Sequence, residues 1–249
     1  MVSMLNVFEI TDLTAGSNGK DKELVEKAYK FAQDAHQGQK RVSGEPYFSH
    51  LFETAKTLAS LGMDAQTISA GLLHDVLEDT KISEKELEEK FSSEVLFLVN
   101  GVTQLGTLKY KGHERHVESL RKFFVAVASD LRVVVIKFAD RLHNLKTLQF
   151  LPEEKRHRIA MESLEVYAQL ANRLGMGRLK SEMEDAAFPF AFPKEFAQTG
   201  KIIEEKKELY EKNLSEVKKE LEKELSKNNN KVLGISYRVK HKYSLWKKL

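Results

Sequence analysis

The chain has 249 residues, 41% apolar and 31% charged, a balance typical of globular proteins that excludes low-complexity and fibrous classes. Lys and Arg exceed Asp and Glu by 40 − 37 = 3, too small a surplus to imply a nucleic-acid partner. With no cysteine, disulfide frameworks and thiolate metal sites are excluded, and any metal must be held by His, Asp or Glu.

This length supports one large core, with room for a small appendage. Met1 to Leu13 has no basic stretch followed by a long apolar run, so no secretory signal is expected. The longest apolar candidate, Phe123 to Ala139, is broken by Ser129, Asp130, Arg132 and Lys137, so no membrane span is expected. A reducing, cytoplasmic setting fits this composition, and nothing in it indicates the oligomeric state.

Taken in order, Lys20 to Gln37 carries Leu24, Ala28, Phe31, Ala32 and Ala35 at helical spacing and should stop near Gly38. Gln39 to Tyr47 reads as a loop with a basic entrance, because Ser43-Gly44 and Glu45-Pro46 are turn signals. Phe48 to Leu61 is helical again, with Gly62 as its stop, and Asp64 opens the next helix. Ser83 and Glu86 have capping-box spacing at the head of a short acidic helix, and a further helix is expected from about Ser93 to Leu98. The three glycines of Gly101 to Gly112 predict a loop there.

Two helices should follow, His113 to Ala128 and Asp130 to Leu148, the second apolar almost all round from Val133 to Ala139. Pro152 suits the first turn of a helix running to about Leu174, and Leu179 to Phe188 should form a shorter one ending before Pro189. Ile202 to Leu225 has the pattern of a long amphipathic helix laced with Glu and Lys. Lys231 to Val239 has the pattern of a strand and Tyr243 to Lys248 of a last basic turn, within a segment, Arg238 to Lys248, that by itself reads as a basic, partly frayed tail.

Chemistry concentrates in two places. Leu72 to Thr80 embeds His74, Asp75, Glu78 and Asp79 in an apolar segment, and charged groups so placed need a cation, a network or water. On one continuous helix, His74 with Glu78, and Asp75 with Asp79, would share a face. In the second place, Asp140, Asn144 and Thr147 fall at i, i+4 and i+7, giving an apolar helix one polar face that serves either a site or a satisfied internal seam. Together with His50, these residues offer two imidazoles and two carboxylates, a set suited to Mn²⁺, Fe²⁺ or Zn²⁺. His36, His113, His116, His143, His157 and His241 have no comparable set of acidic companions at helical spacing and read mostly as structural or solvated.

Arg41-Val42-Ser43-Gly44-Glu45-Pro46-Tyr47 with His50, then His74-Asp75-x-x-Glu78-Asp79-Thr80, then Asp140-Arg141-Leu142-His143-Asn144, resembles the HD-type hydrolase domain of the RelA/SpoT family. The similarity continues through Asn100 to Thr103, Ala171 to Gly175 and Glu182 to Asp185. The resemblance implies an all-α HD-domain helical bundle at 20–190 after a lead-in at 1–19, a helical linker at 191–230, and at 231–249 the truncated start of an α/β synthetase domain. It implies Mn²⁺ bound by His50, His74, Asp75 and Asp140, with Glu78 and Asp79 as the catalytic acidic pair. By the same resemblance, Arg41 stacks on guanine, Ser43 lies in the base-binding loop, and Asn144 and Thr147 contact the nucleotide.

The implied reaction is hydrolysis of guanosine 3′,5′-bis(diphosphate), or its pentaphosphate relative, to GDP or GTP plus pyrophosphate. Val42 departs from the pattern, standing where bifunctional members usually carry Lys or Arg, which removes a positive charge near the nucleotide. Arg238 to Lys248 resembles the opening ATP-binding motif of the synthetase domain, with Tyr237 in place of Gly. The acidic residues that follow in that domain are absent, so no pyrophosphokinase activity is expected. Two other readings stay open: a nucleotide-sensing module without turnover, and an HD-type phosphohydrolase acting on another nucleotide.

Overall fold

The computed structural model describes residues 6–12, 19–106, 121, 123–227, 235 and 240–249. Among them the protein is all-α, and the sole β feature is an isolated bridge between Lys40 and Pro46. The first helices are α1 (Phe8–Thr11), α2 (Gly19–Ala35), α3 (Phe48–Ser60), α4 (Ala65–Leu73), the single turn α5 (Val76–Asp79), α6 (Glu84–Lys90) and α7 (Ser93–Gly106). They are followed by α8 (Leu131–Lys146), α9 (Glu153–Glu162), α10 (Ala168–Arg173), α11 (Gly177–Ala191), α12 (Pro193–Lys227) and α13 (Lys242–Trp246).

Two helices form the centre. Every residue of α4 except Gln66 is buried, and α8 buries nine residues from Val133 to Leu145. Helix α3 packs on both, α2 covers α4, α7 bridges α4 and α8, and α11 closes the far side of α8. The apolar surface removed from water by residues such as Phe52, Leu58, Leu72, Ile136 and Phe138 is the main stabilising term.

Local chemistry sets the ends. Asp64 Oδ1 accepts the Thr67 amide (2.7 Å) to cap α4, and Asp130 Oδ1 accepts the Arg132 amide (2.8 Å) to cap α8. The Arg132 side chain then reaches Glu94 (2.7 Å) and Asp64 (3.4 Å), tying together the starts of α8, α7 and α4. Ser83 Oγ accepts the Glu86 amide, as the capping-box spacing predicts. Gly62 and Gly175 follow helix ends with φ of 73° and 77°, a conformation that other residues rarely adopt.

Several expectations are corrected. Helix α7 runs through Gly101 to Gly106 instead of ending near Leu98. Gly101 is there for packing: a Cβ would lie 2.7 Å from Val133 Cγ2, so its missing side chain lets α7 approach α8. Residues 107–112 lie outside the described residues, as does most of the helix expected at His113 to Ala128, of which Arg121 and residues 123–128 are described and helical. Pro189 sits inside α11, whose helix continues to Ala191, so it sacrifices one backbone hydrogen bond near the C-terminal end without ending the helix. The helix at Ile202 to Leu225 belongs to a longer one beginning at Pro193, and most of the strand expected at Lys231 to Val239 is outside the described residues.

The tail is docked, not frayed. Tyr243 is buried against Phe188 (5.3 Å between ring centroids), and Trp246 packs on Phe188 (5.2 Å) and Phe192 (4.9 Å). Asp185 accepts the Tyr243 amide (3.0 Å) and faces His241 Nδ1 (3.0 Å), capping α13 from α11.

Candidate metal centre and substrate cleft

The expected continuous helix through Leu72 to Thr80 is broken: α4 stops at Leu73, His74 caps it, and Asp75 has φ −100° and ψ −3° before α5 begins. The cause is local. His74 Nδ1 donates to the Gly71 carbonyl (2.8 Å), taking the acceptor that a continuing helix would offer to the Asp75 amide. The break separates the pairs that a regular helix would place on one face, leaving His74 buried while Glu78 and Asp79 are exposed.

His50 comes from α3, His74 from the end of α4, and Asp140 from α8; all three are buried, with one ligand-capable atom each within 4.8 Å of the others. His50 Nε2 lies 3.3 Å from Asp140 Oδ1, and His74 Nε2 lies 4.0 Å from that oxygen. Asp75 borders the group, its Oδ2 3.2 Å from His74 Nε2 and 3.7 Å from His50 Nε2. His74 Nε2 is buried and makes no hydrogen bond. With Nδ1 committed to Gly71, Nε2 faces two carboxylate oxygens that call for a positive charge between them, a proton in the metal-free fold or a cation in its place, so the donor set fits a divalent cation.

Electrostatics agree. Burial opposes charge on His74, yet the Asp75 and Asp140 carboxylates outweigh it and hold its proton up to about 9. Burial also favours the neutral acid at Asp140, but the Lys137 ammonium, 2.6 Å from Oδ2, keeps its carboxyl well below the usual range. Asn144 Nδ2 donates to Asp140 Oδ1 (2.5 Å), so both oxygens of Asp140 are fixed in direction.

Above this group opens a cleft of about 600 Å³, lined by His50, Asp75, Glu78 and Asp140 and by five cationic side chains, Lys40, Arg41, Lys137, Arg141 and Lys155. Arg141 is held over the Tyr167 ring (4.2 Å) and 3.6 Å from Glu162. Both partners adjoin or belong to the π-helical turn Ser163–Tyr167, a local widening that brings them to the same guanidinium. Ser43, Asn144 and Thr147 line the same cleft, as does Val42, which is 75% exposed. Arg41 Nη2 donates to Asn144 Oδ1 (2.7 Å) and Thr147 Oγ1 (3.3 Å), so three residues expected to contact the nucleotide are joined to one another.

Of the expected acidic pair, Glu78 lines the cleft, while Asp79 stands beside the Tyr47 hydroxyl. His143 is the residue that helical spacing misses: its Nδ1 is 2.8 Å from His50 Nδ1 and 3.5 Å from Arg41 Nη1. Burial first, then the nearby His50 and Arg41, lower its pKa to about 3.

An all-helical bundle that gathers two histidines and an aspartate from three helices beneath a cationic cleft defines a class of metal-binding helical domain. Residues 28–177 match the HD domain, and the chain belongs to that family. It is 44% identical over 227 residues to the guanosine-3′,5′-bis(diphosphate) 3′-pyrophosphohydrolase of Aquifex aeolicus, covering 91% of this chain and 32% of the relative. It is 42% identical over 233 residues to the GTP pyrophosphokinase of Myxococcus xanthus (92% and 31%). To the bifunctional (p)ppGpp synthase/hydrolase SpoT of Escherichia coli K12 it is 40% identical over 232 residues (90% and 32%). The chain thus spans about a third of the length of these relatives. No helix among the described residues is long and apolar enough to cross a membrane.

Proposed function

We propose that this chain is a Mn²⁺-dependent hydrolase that removes the 3′-pyrophosphate of guanosine 3′,5′-bis(diphosphate), or of the pentaphosphate, yielding GDP or GTP and pyrophosphate. The observation that carries this reading is the convergence of His50, His74 and Asp140, with Asp75 beside them, at the floor of a cleft walled by Lys and Arg. A polyanionic substrate matches that wall, and relatives named for this hydrolysis match the chain over nine-tenths of its length.

In the reaction, water adds to the phosphorus attached to O3′, the P–O3′ bond breaks, O3′ takes up a proton and pyrophosphate leaves. A divalent cation held by His50, His74, Asp75 and Asp140 would neutralise phosphate charge and lower the pKa of water toward ~7. Glu78, in the cleft, and Asp79, next to it in α5, are the carboxylates offered to accept the water's proton. Lys40, Arg141 and Lys155 counter the phosphate charge.

Arg41 gives its guanidinium plane to guanine and, in doing so, frees Asn144 and Thr147 to contact the nucleoside; Ser43 closes the base side. Residues 20–190 act as the hydrolase unit, 191–230 as a linker and 231–249 as the start of a synthetase domain, in a cytoplasmic setting. Release of equimolar GDP and pyrophosphate from the bis(diphosphate), dependent on Mn²⁺ and lost in Asp75→Ala, tests the reading.

A further inference from the structure

Asp75 is steered from behind. Tyr47, at the head of α3, donates its hydroxyl to Asp75 Oδ2 (2.8 Å), the oxygen that also faces His74 and His50. An ionised carboxylate can only accept, so the hydroxyl is the donor and one lone pair of Oδ2 is committed to it. The Tyr47 ring stacks on buried His36 at 4.9 Å and 8°.

His36 Nδ1 is bonded to Gln39 Oε1 (2.7 Å), and Gln39 Nε2 donates to the Asp79 carbonyl (2.9 Å). That second bond fixes the amide's orientation, because only the nitrogen end can donate to a carbonyl, and it makes His36 Nδ1 the donor to Oε1. The Tyr47 amide closes the loop by donating to the Gln39 carbonyl (3.0 Å). Residues from the end of α2 and the following loop therefore grip both ends of α5, by the Asp75 side chain and by the Asp79 backbone. A single four-residue turn with an exposed acidic face has little stability of its own, so its direction must come from such outside contacts.

We propose that Tyr47, His36 and Gln39 form a positioning relay, with Tyr47 aiming the Asp75 carboxylate at the cation and Gln39 holding the turn that presents Glu78 to the cleft. This rests on reading the centre as a metal-dependent hydrolase. Tyr47→Phe keeps the stacked ring and removes only the donor. Its Mn²⁺ dissociation constant, by calorimetric titration, is expected to rise by about 10-fold or more. The melting temperature of the metal-free protein should stay within about 2 °C of wild type.

Gln39→Ala is expected to lower kcat by about 10-fold while KM and the Mn²⁺ dissociation constant stay within about twofold, since it loosens the turn but leaves every metal donor in place. Wild-type affinity in Tyr47→Phe, with or without a lower melting temperature, would reduce Tyr47 to packing and overturn the proposal, as would wild-type kcat in Gln39→Ala. If Tyr47→Phe does not fold, the kcat-against-KM split in Gln39→Ala decides alone. A wild-type protein that binds no Mn²⁺ would instead overturn the hydrolase reading itself.

Discussion

His50 and His143 meet Nδ1 to Nδ1 at 2.8 Å, a hydrogen bond that needs one ring to donate and the other to accept. If His50 gives Nε2 to a cation, its proton sits on Nδ1 and His143 must accept. His143 suits that role: its lowered pKa, about 3, keeps it neutral, and Arg41, which can only donate, faces the same nitrogen at 3.5 Å. His143 thereby selects the His50 tautomer whose bare nitrogen points at Asp140 and His74. His143→Ala should weaken Mn²⁺ binding by about 10- to 100-fold, the usual effect of removing a ligand's supporting partner. Unchanged affinity by calorimetry would show that the tautomer is set elsewhere.

Proton and cation compete at His74. Its pKa in the metal-free fold is raised to about 9, above the ordinary 6.5, because the Asp75 and Asp140 carboxylates outweigh the opposing burial. For a raised pKa the stability contribution is fully present below pH ~6.5 and is lost as pH rises through about 9. The metal-free protein should therefore lose stability over that window. Mn²⁺ affinity should move the other way, rising by up to about tenfold per pH unit until His74 is deprotonated. Chemical denaturation and metal titration across pH 6 to 9 check both signs, and a metal affinity independent of pH would rule out His74 as a ligand.

Val42 is an exposed apolar side chain on the rim of a cationic cleft. Val42→Lys adds a charge facing a polyanionic substrate. At low salt it should lower KM by about 2- to 5-fold, the worth of a solvent-exposed charge pair, and the gain should vanish near 1 M salt. A salt-independent change in KM would point to altered loop conformation instead.

Much of the centre was legible in the sequence, for a physical reason: His74 and Asp75 inside an apolar segment, and Asp140 in an apolar helix, are costly to bury without partners. His143 was not legible because its partners, an imidazole from α3 and a guanidinium from a loop, are brought together only by the fold. The break after Leu73 was hidden for a similar reason, since a regular helix and one ended by a His74 bond to Gly71 share the same apolar pattern. Gly101 looked like loop punctuation, but its role is close approach to Val133. The docked tail depends on Phe188 and Phe192 facing Trp246 across some sixty residues of chain, a pairing that local periodicity does not encode.

The Gly101 contact predicts a stability change. Alanine favours helices over glycine by about 1 kcal/mol, but here its Cβ would press on both Val133 methyls, at 2.7 and 2.9 Å, on a stiff β-branched side chain. Gly101→Ala should therefore be net destabilising, by about 1–3 kcal/mol, readable as a lower denaturant midpoint. A stabilised variant would mean that α7 and α8 are less tightly apposed.

The central claim is that His50, His74, Asp75 and Asp140 form one metal centre that removes the 3′-pyrophosphate of the guanosine alarmone. The most direct measurement is pyrophosphate and GDP release from guanosine 3′,5′-bis(diphosphate), with and without Mn²⁺, by the wild-type chain and by His74→Ala and Asp75→Ala. Equimolar release that requires Mn²⁺ and disappears in both variants is the predicted result. Full activity in either variant, or release that persists after metal is stripped, would contradict it.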